Sequence, residues 1–194
     1  LQALSSPRKT GVRAINLPLD NSDEVIDVQK LNEKQDILIV TAEGQAIRFS
    51  ASEVRAMGRA SYGVTGIKLD KGDFAVSLEV LPETAEETKE TSVLAITDKG
   101  YGKRSEIEEY RKTGRAGKGV INLRINDKTG KVCNTISVRE NDSIIVATQK
   151  GMVIRVPVKD IRIMGRATQG VRIIKLQESD SVIDLVKATN FEEE

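Results

Sequence analysis

Histidine and tryptophan are absent from this 194-residue chain, cysteine occurs once, proline four times, and aromatic residues make up only 3%. Without imidazole the chain builds neither a Ser-His-Asp or Cys-His nucleophile system nor a zinc site that depends on histidine. A lone thiol, Cys133, excludes an internal disulfide framework and fits a reducing compartment, so a cytoplasmic location is expected. Its neighbours Val132, Ile136 and Val138 mark a strand, where a free cysteine packs as a small hydrophobe. Apolar runs stop at about six residues, against the roughly 18 of a membrane-spanning helix, so no membrane partner is expected. No charged-then-apolar leader opens the sequence. It opens on Leu1 rather than Met, and a fragment of a longer protein is expected.

What the sequence does contain is aliphatic and repetitive. Hydrophobic residues account for 39%, with Val and Ile in short runs that suit a pleated surface. Three windows of 24 residues, 41–64, 97–120 and 148–171, align without a gap. They share Gly44, Gly100 and Gly151, then Arg48, Arg104 and Arg155, then Arg55, Arg111 and Arg162. The triplet Gly58-Arg59-Ala60 recurs as Gly114-Arg115-Ala116 and Gly165-Arg166-Ala167, and every window closes on Gly-Val. A partial copy begins at Gly11-Val12, where Ile15 and Leu17 stand at the offsets of Ile67 and Leu69, Leu123 and Ile125, and Ile174 and Leu176.

Each repeat reads as four strands. A first apolar run (37–40, 93–96, 144–147) meets a turn ending in glycine, and an alternating second strand follows (46–50, 152–156). A Gly/Arg-rich loop leads to a third strand with the period-2 pairs above, and a fourth lies at 25–28, 74–80, 132–138 and 182–186. Four short strands in about 40–50 residues is the signature of a propeller blade. The expected fold is all-β, a propeller-like array of four-stranded blades: 1–35 ends one blade, 36–90 is a blade with an acidic loop at 82–90, and 91–141 and 142–190 are further blades. Residues 191–194 are read as the start of an acidic tail.

The net charge of +1 conceals a segregation: the three windows hold 15 Lys/Arg and 7 Asp/Glu, the rest of the chain 15 and 22. Because the windows repeat, their basic residues line one edge of the array, which is the electrostatic footprint of nucleic-acid binding. The candidate contacts are Arg55, Arg59, Arg111, Lys112, Arg115, Lys118, Arg162 and Arg166. For Arg59, Arg115 and Arg166 a structural turn bonded to the neighbouring blade stays open as the alternative. Arg48, Arg104 and Arg155, mid-strand, favour packing or inter-blade bonding. With no recognition helix and few aromatic platforms, phosphate-mediated, sequence-independent duplex binding with bending is the better fit. Gly114 to Gly119 is not a phosphate loop, since Val120 stands where Lys and Ser/Thr are needed. Neither a catalytic residue, a metal site nor a cofactor is expected, and an enzyme domain is disfavoured. A protein-interaction propeller is a further alternative, although WD repeats need a Trp-Asp pair.

The runs Ile47-Arg48-Phe49 with Val54-Arg55-Ala56-Met57-Gly58, Gly100-Tyr101-Gly102-Lys103-Arg104 with Glu109-Tyr110, and Ile163-Met164-Gly165-Arg166 with Thr168-Gln169-Gly170-Val171 resemble the C-terminal repeats of the DNA gyrase A subunit. The resemblance implies the later part of a β-pinwheel whose blades exchange strands with their neighbours, the end of one blade and three more, with double-stranded DNA bent around a basic rim. It implies as partners the rest of the gyrase A polypeptide and the gyrase B polypeptide, in an A2B2 complex that introduces negative supercoils in the cytoplasm, on the nucleoid. The cleaving tyrosine of that family lies in another part of the gyrase A polypeptide, while ATP and Mg are used by gyrase B. The family's Gln-Arg-Arg-Gly-Gly-Lys-Gly box has no full copy here; Arg115-Ala116-Gly117-Lys118-Gly119 is a partial echo. The corresponding polypeptide of topoisomerase IV shares the repeat and is the alternative parent.

Overall fold

A computed structural model describes residues 9–18 and 23–188 of the chain; the expected tail at 191–194 lies outside them. The strands are β1 (Asp36–Thr41), β2 (Gln45–Ser50), β3 (Ala75–Leu81), β4 (Thr91–Thr97), β5 (Tyr101–Glu106), β6 (Val120–Ile121), β7 (Val132–Arg139), β8 (Ser143–Thr148), β9 (Val153–Pro157), β10 (Val171–Arg172) and β11 (Val182–Ala188). They form three antiparallel sheets in the orders β3-β1-β2-β6, β10-β5-β4-β7 and β11-β8-β9. Each sheet is one blade.

The hairpin that opens each blade follows from a Thr-x-x-Gly turn. Gly44, Gly100 and Gly151 donate to the carbonyls of Thr41, Thr97 and Thr148 at 2.9–3.0 Å. The threonine hydroxyls accept from the amides of Gln45, Tyr101 and Met152 at 3.1–3.2 Å. The glycines sit at φ +79°, +76° and +83°, a region that side chains bearing a Cβ resist.

The first strand of a blade is apolar on both faces because it is packed on both faces. Leu38 and Val40 of β1 join Val93 and Ala95 of β4 in one buried cluster, and Leu94 and Ile96 of β4 join Ile144 and Val146 of β8 in the next. All seven residues of β4 are buried accordingly. The inner strands β3, β7 and β11 pack side by side, which leaves β2, β5 and β9 toward the outer edge. Cys133 lies in β7 with its Sγ 3.5 Å from the Ile96 carbonyl, and burial pushes its thiol up to about 12, so it has no nucleophilic character near neutrality.

The strand exchange that the β-pinwheel resemblance implies is present: β6 pairs with β2 and β10 with β5, so a blade takes its fourth strand from the next repeat. Two expectations change. Residues 25–28 form no strand, because inner strands pair with the first strand of their own repeat and no such partner lies beside 25–28 among the described residues. The acidic segment 82–90, expected as a loop, contains a short helix, α1 (Ala85–Glu90). Thr84 caps it, accepting from the Glu87 amide at 3.2 Å while its hydroxyl donates to the Glu87 carboxylate at 3.1 Å.

The strand exchange gives Gly44 a second constraint. A Cβ on it would stand 2.1 Å from the Leu123 carbonyl oxygen, whereas a Cβ on Gly151 meets nothing within 4 Å. Gly151→Ala is expected to cost only the left-handed backbone strain, about 1–2 kcal/mol, and Gly44→Ala clearly more, read as the larger loss in urea midpoint. A second test concerns Lys103 of β5, which is fully buried and donates to the Ser105 hydroxyl. Burial lowers its ammonium to about 8 from 10.5, so between those values the unfolded chain holds a proton the folded chain has lost and stability from this residue rises with pH. Below about 8 the full penalty of a buried cation applies. Lys103→Met is therefore expected to be more stable than the parent at neutral pH, with an advantage that shrinks through the 8–10.5 window in urea melts at stepped pH.

Candidate nucleic-acid interface

The loop of each window leaves the second strand through a single 3-10 turn, Ala51–Glu53, Ile107–Glu109 or Val158–Asp160, anchored by the buried Ala51, Ile107 or Val158. It then lies along the preceding blade. Thr113 donates to the Arg48 carbonyl at 2.8 Å, Ala116 to Gly66 at 2.7 Å and Lys68 to Gly117 at 2.9 Å. One junction further, Met164 donates to Arg104 at 2.8 Å and Arg124 to Thr168 at 2.9 Å. Asn16 donates to Ser61 at 3.0 Å in the equivalent place on the partial repeat. The basic loops therefore follow one another along the outer edge.

The structure divides the eight sequence-predicted cations. Arg115 and Arg166 are committed to the seams. The Arg115 amide donates to Glu53 Oε2 at 2.9 Å and its guanidinium to the Thr65 carbonyl at 2.5 Å. The Arg166 amide donates to Glu109 Oε2 at 2.8 Å, its Nε to the Glu109 carbonyl at 3.0 Å and its Nη1 to the Ile121 carbonyl at 2.7 Å. Glu53 and Glu109 occupy the same position of successive 3-10 turns, as do Thr65 and Ile121 after the closing glycines. The arginine of the Gly-Arg-Ala triplet is thus a rivet between blades.

Lys112 is also held, 2.6 Å from Oδ1 of Asp36, a carboxylate only 8% exposed that Arg48 contacts at 2.9 Å. Lys118 pairs with Asp70 at 2.8 Å, but both side chains are more than 60% exposed, and such a pair is worth little and exchanges readily for another anion. It holds the Asp70 carboxyl below its ordinary range by hydrogen bond and charge. Arg55, Arg111 and Arg162 are exposed, at one equivalent position per blade, and their side chains make no hydrogen bond or ion pair among the described residues. Arg59 is exposed and equally unpaired among them.

The mid-strand arginines pack as expected where their contacts are seen. Arg48 reaches the Ile107 and Tyr110 carbonyls of the next blade at 3.2 and 3.3 Å, and Arg104 the Ile161 carbonyl at 2.7 Å and Glu140 at 2.6 Å. Tyr110 is buried, donates to Asn122 at 2.5 Å, and burial pushes its phenol well above the ordinary range, which suits a structural anchor rather than a nucleophile. Among the described residues no group of three acidic or thiol side chains is placed to hold a metal ion, and no helix is long and apolar enough to cross a membrane.

Sequence reasoning missed a second basic row. Lys68, Arg124 and Lys175 each stand five residues after a closing glycine, and all three are exposed. Through the backbone bonds of Lys68 to Gly117 and Arg124 to Thr168 the first two lie beside the loop of the next blade. The signal was present as a fixed offset in the repeat, but it fell outside the windows over which charge was summed.

The sequence matches the family described as the DNA gyrase C-terminal domain, beta-propeller, over residues 2–32, 35–82, 91–138 and 142–188. It is 41% identical over 189 residues to the DNA gyrase A subunit of Chlamydia trachomatis, covering 96% of this chain and 22% of that protein. Against the same protein of Buchnera aphidicola it is 43% identical over 188 residues, 97% of this chain and 21% of that one. The chain thus spans about a fifth of the length of the curated relatives it matches. Among solved structures, the C-terminal domain of DNA topoisomerase IV superposes with a TM-score of 0.86 at 28% identity, covering 96% of this chain and 56% of that one. The DNA gyrase A C-terminal domain superposes with a TM-score of 0.82 at 25% identity, covering 92% and 58%. With its repeats matched throughout and its blades built as theirs, the chain belongs to the DNA gyrase C-terminal domain, beta-propeller, family.

Proposed function

We propose that this chain binds and bends duplex DNA without sequence preference along its outer edge, as the DNA-wrapping part of gyrase A, working with the rest of that polypeptide and with gyrase B. The observation that carries the reading is the row Arg55, Arg111 and Arg162: one exposed guanidinium per blade, unpaired among the described residues, at the same place in each loop. Nothing in the described fold uses these charges. Arginine meets phosphate bidentately, and a regular series of such groups on a curved edge favours a curved backbone over a straight one. Lys68, Arg124 and Lys175 flank that row, and Lys118 joins it by exchanging Asp70 for phosphate. Gyrase is preferred to topoisomerase IV as the parent because relatives at 37–43% identity in Salmonella typhimurium, Chlamydia and Buchnera are gyrase A proteins. ATP and Mg chemistry belongs to gyrase B on this reading. The cytoplasm, at the nucleoid, is where the complex operates.

Two kinds of arginine give opposite results. Arg111→Glu and Arg162→Glu are expected to weaken binding to all duplex sequences alike, each lowering the slope of log K against log salt by about 0.9, with the urea midpoint unchanged. A salt titration by fluorescence anisotropy on two unrelated duplexes reads this, and an unchanged slope removes the rim from the interface. Arg166→Ala is expected to do the reverse. It leaves the Ile121 carbonyl and Glu109 without their charged donor, costing about 1.5–3 kcal/mol of stability in urea melts.

A further inference from the structure

The seams between blades share a backbone plan but differ at one place on the outer edge. At the second seam, where β10 closes onto β5, Arg172 stands opposite Tyr101 in the strand register. Its Nη2 donates to the Tyr101 hydroxyl at 2.9 Å, and its guanidinium carbon lies 5.4 Å from the centre of the ring. The Lys128 ammonium lies 5.6 Å from the same centre. Both cations are exposed, whereas the ring that holds them is only 8% exposed. One aromatic ring thus fixes two positive charges on a single patch of surface, through the attraction of its electron-rich face.

No part of this arrangement recurs in the other repeats. Gln45 and Met152 stand at the position of Tyr101, and Thr65 and Ile121 at that of Arg172. Lys128 sits in a widened turn, which closes Gly130 onto Asn126; the matching turns close Asp73 onto Asp70 and Asp180 onto Gln177, one residue tighter. The widened turn lies against the basic loop of the third repeat. Asn126 Nδ2 donates to Gln169 Oε1 at 3.2 Å, and the Arg124 amide donates to the Thr168 carbonyl at 2.9 Å. Neither Lys128 nor Arg172 is ion-paired among the described residues, although Asp127 adjoins Lys128 in the sequence. Two like charges gathered without a carboxylate between them draw in an anion from outside.

We propose that the second seam is a clamp for the duplex backbone, in which Lys128 and Arg172 each meet a phosphate and Tyr101 is the positioning residue. The proposal rests on the DNA-binding reading above and adds that the edge grips unevenly, most firmly at this seam. Long basic side chains lose rotamer freedom when they grip a phosphate, and a ring that already holds them in place lowers that cost. The bond to Tyr101 occupies one N–H of the Arg172 guanidinium and leaves the others for phosphate oxygens.

Fluorescence anisotropy on a labelled duplex, titrated with salt, tests it. Lys128→Gln and Arg172→Gln are each expected to lower the slope of log K against log salt by about 0.9. Tyr101→Met, which installs the residue of the third blade, keeps both charges. It is expected to leave the slope in place while weakening binding about three- to tenfold at low salt. Tyr101→Phe keeps the ring and is expected to bind nearly as the parent does. In a chain already carrying Lys128→Gln and Arg172→Gln, Tyr101→Met is expected to change binding no further. Unchanged slopes in both Gln variants, a Tyr101→Met chain that binds like the parent, or a Tyr101→Met loss that persists undiminished without the two cations each overturn the clamp; the last assigns Tyr101 to the seam alone. A parent chain that binds no duplex overturns the DNA-binding reading as well. A slope lowered by Arg111→Glu but by neither Gln variant keeps that reading and removes only the clamp.

Discussion

The exchanged strand is the constraint on which the rest of this molecule depends. Because β6 closes the first blade and β10 the second, the closing Gly-Val of a repeat must leave its own blade and run against the outer strand of its neighbour. That path brings Leu123 and Ile174 into the seams, where both are buried. It presses main chain against main chain at Gly44 and Gly119, where any Cβ would fall within 2.2 Å of a carbonyl oxygen. Glycine recurs there for two reasons at once, backbone handedness and lack of room.

Two arginine series four residues apart in the same loop carry different tasks. The guanidinium groups of Arg115 and Arg166 bond main-chain carbonyls across the seam, which offsets the water they give up there. Arg111 and Arg162 keep their water and stay available. Each 3-10 turn separates the two by fixing where the loop touches down: its last residue, Glu53 or Glu109, captures the amide of the rivet arginine. The Asp36 carboxylate combines two such tasks, neutralising Arg48 and Lys112 together at one buried point.

The fold class, the repeat and the hairpins were legible in the sequence because each rests on local rules: aliphatic β-formers, a period repeated three times, and a Thr-x-x-Gly turn. The continuous apolar runs of β1 and β4 also announced strands buried on both faces. Less legible was anything that depends on which repeat touches which. Strand exchange is invisible to a pattern that looks the same whether the third strand closes its own blade or the next one. For that reason the tasks of Arg111 and Arg115 could not be told apart by residue type, and Lys112 gave no sign of Asp36 waiting far upstream. Residues 25–28 are rich in β-branched side chains like a strand, but pairing and not pattern decides whether one forms. At 82–90 acidic composition outweighed the Thr84–Glu87 cap, a signal that the sequence does contain.

The pairing of Ala46 with Val120 carries a consequence for synthesis. As the chain emerges from a ribosome, the hairpin of one blade is complete long before the strand that seals it has been translated. Each blade therefore waits, with one edge bare, for the arrival of its successor. Maturation runs one unit behind elongation, and a nascent chain that stalls inside a Gly/Arg loop leaves the preceding unit unsealed rather than the unit in which translation stopped.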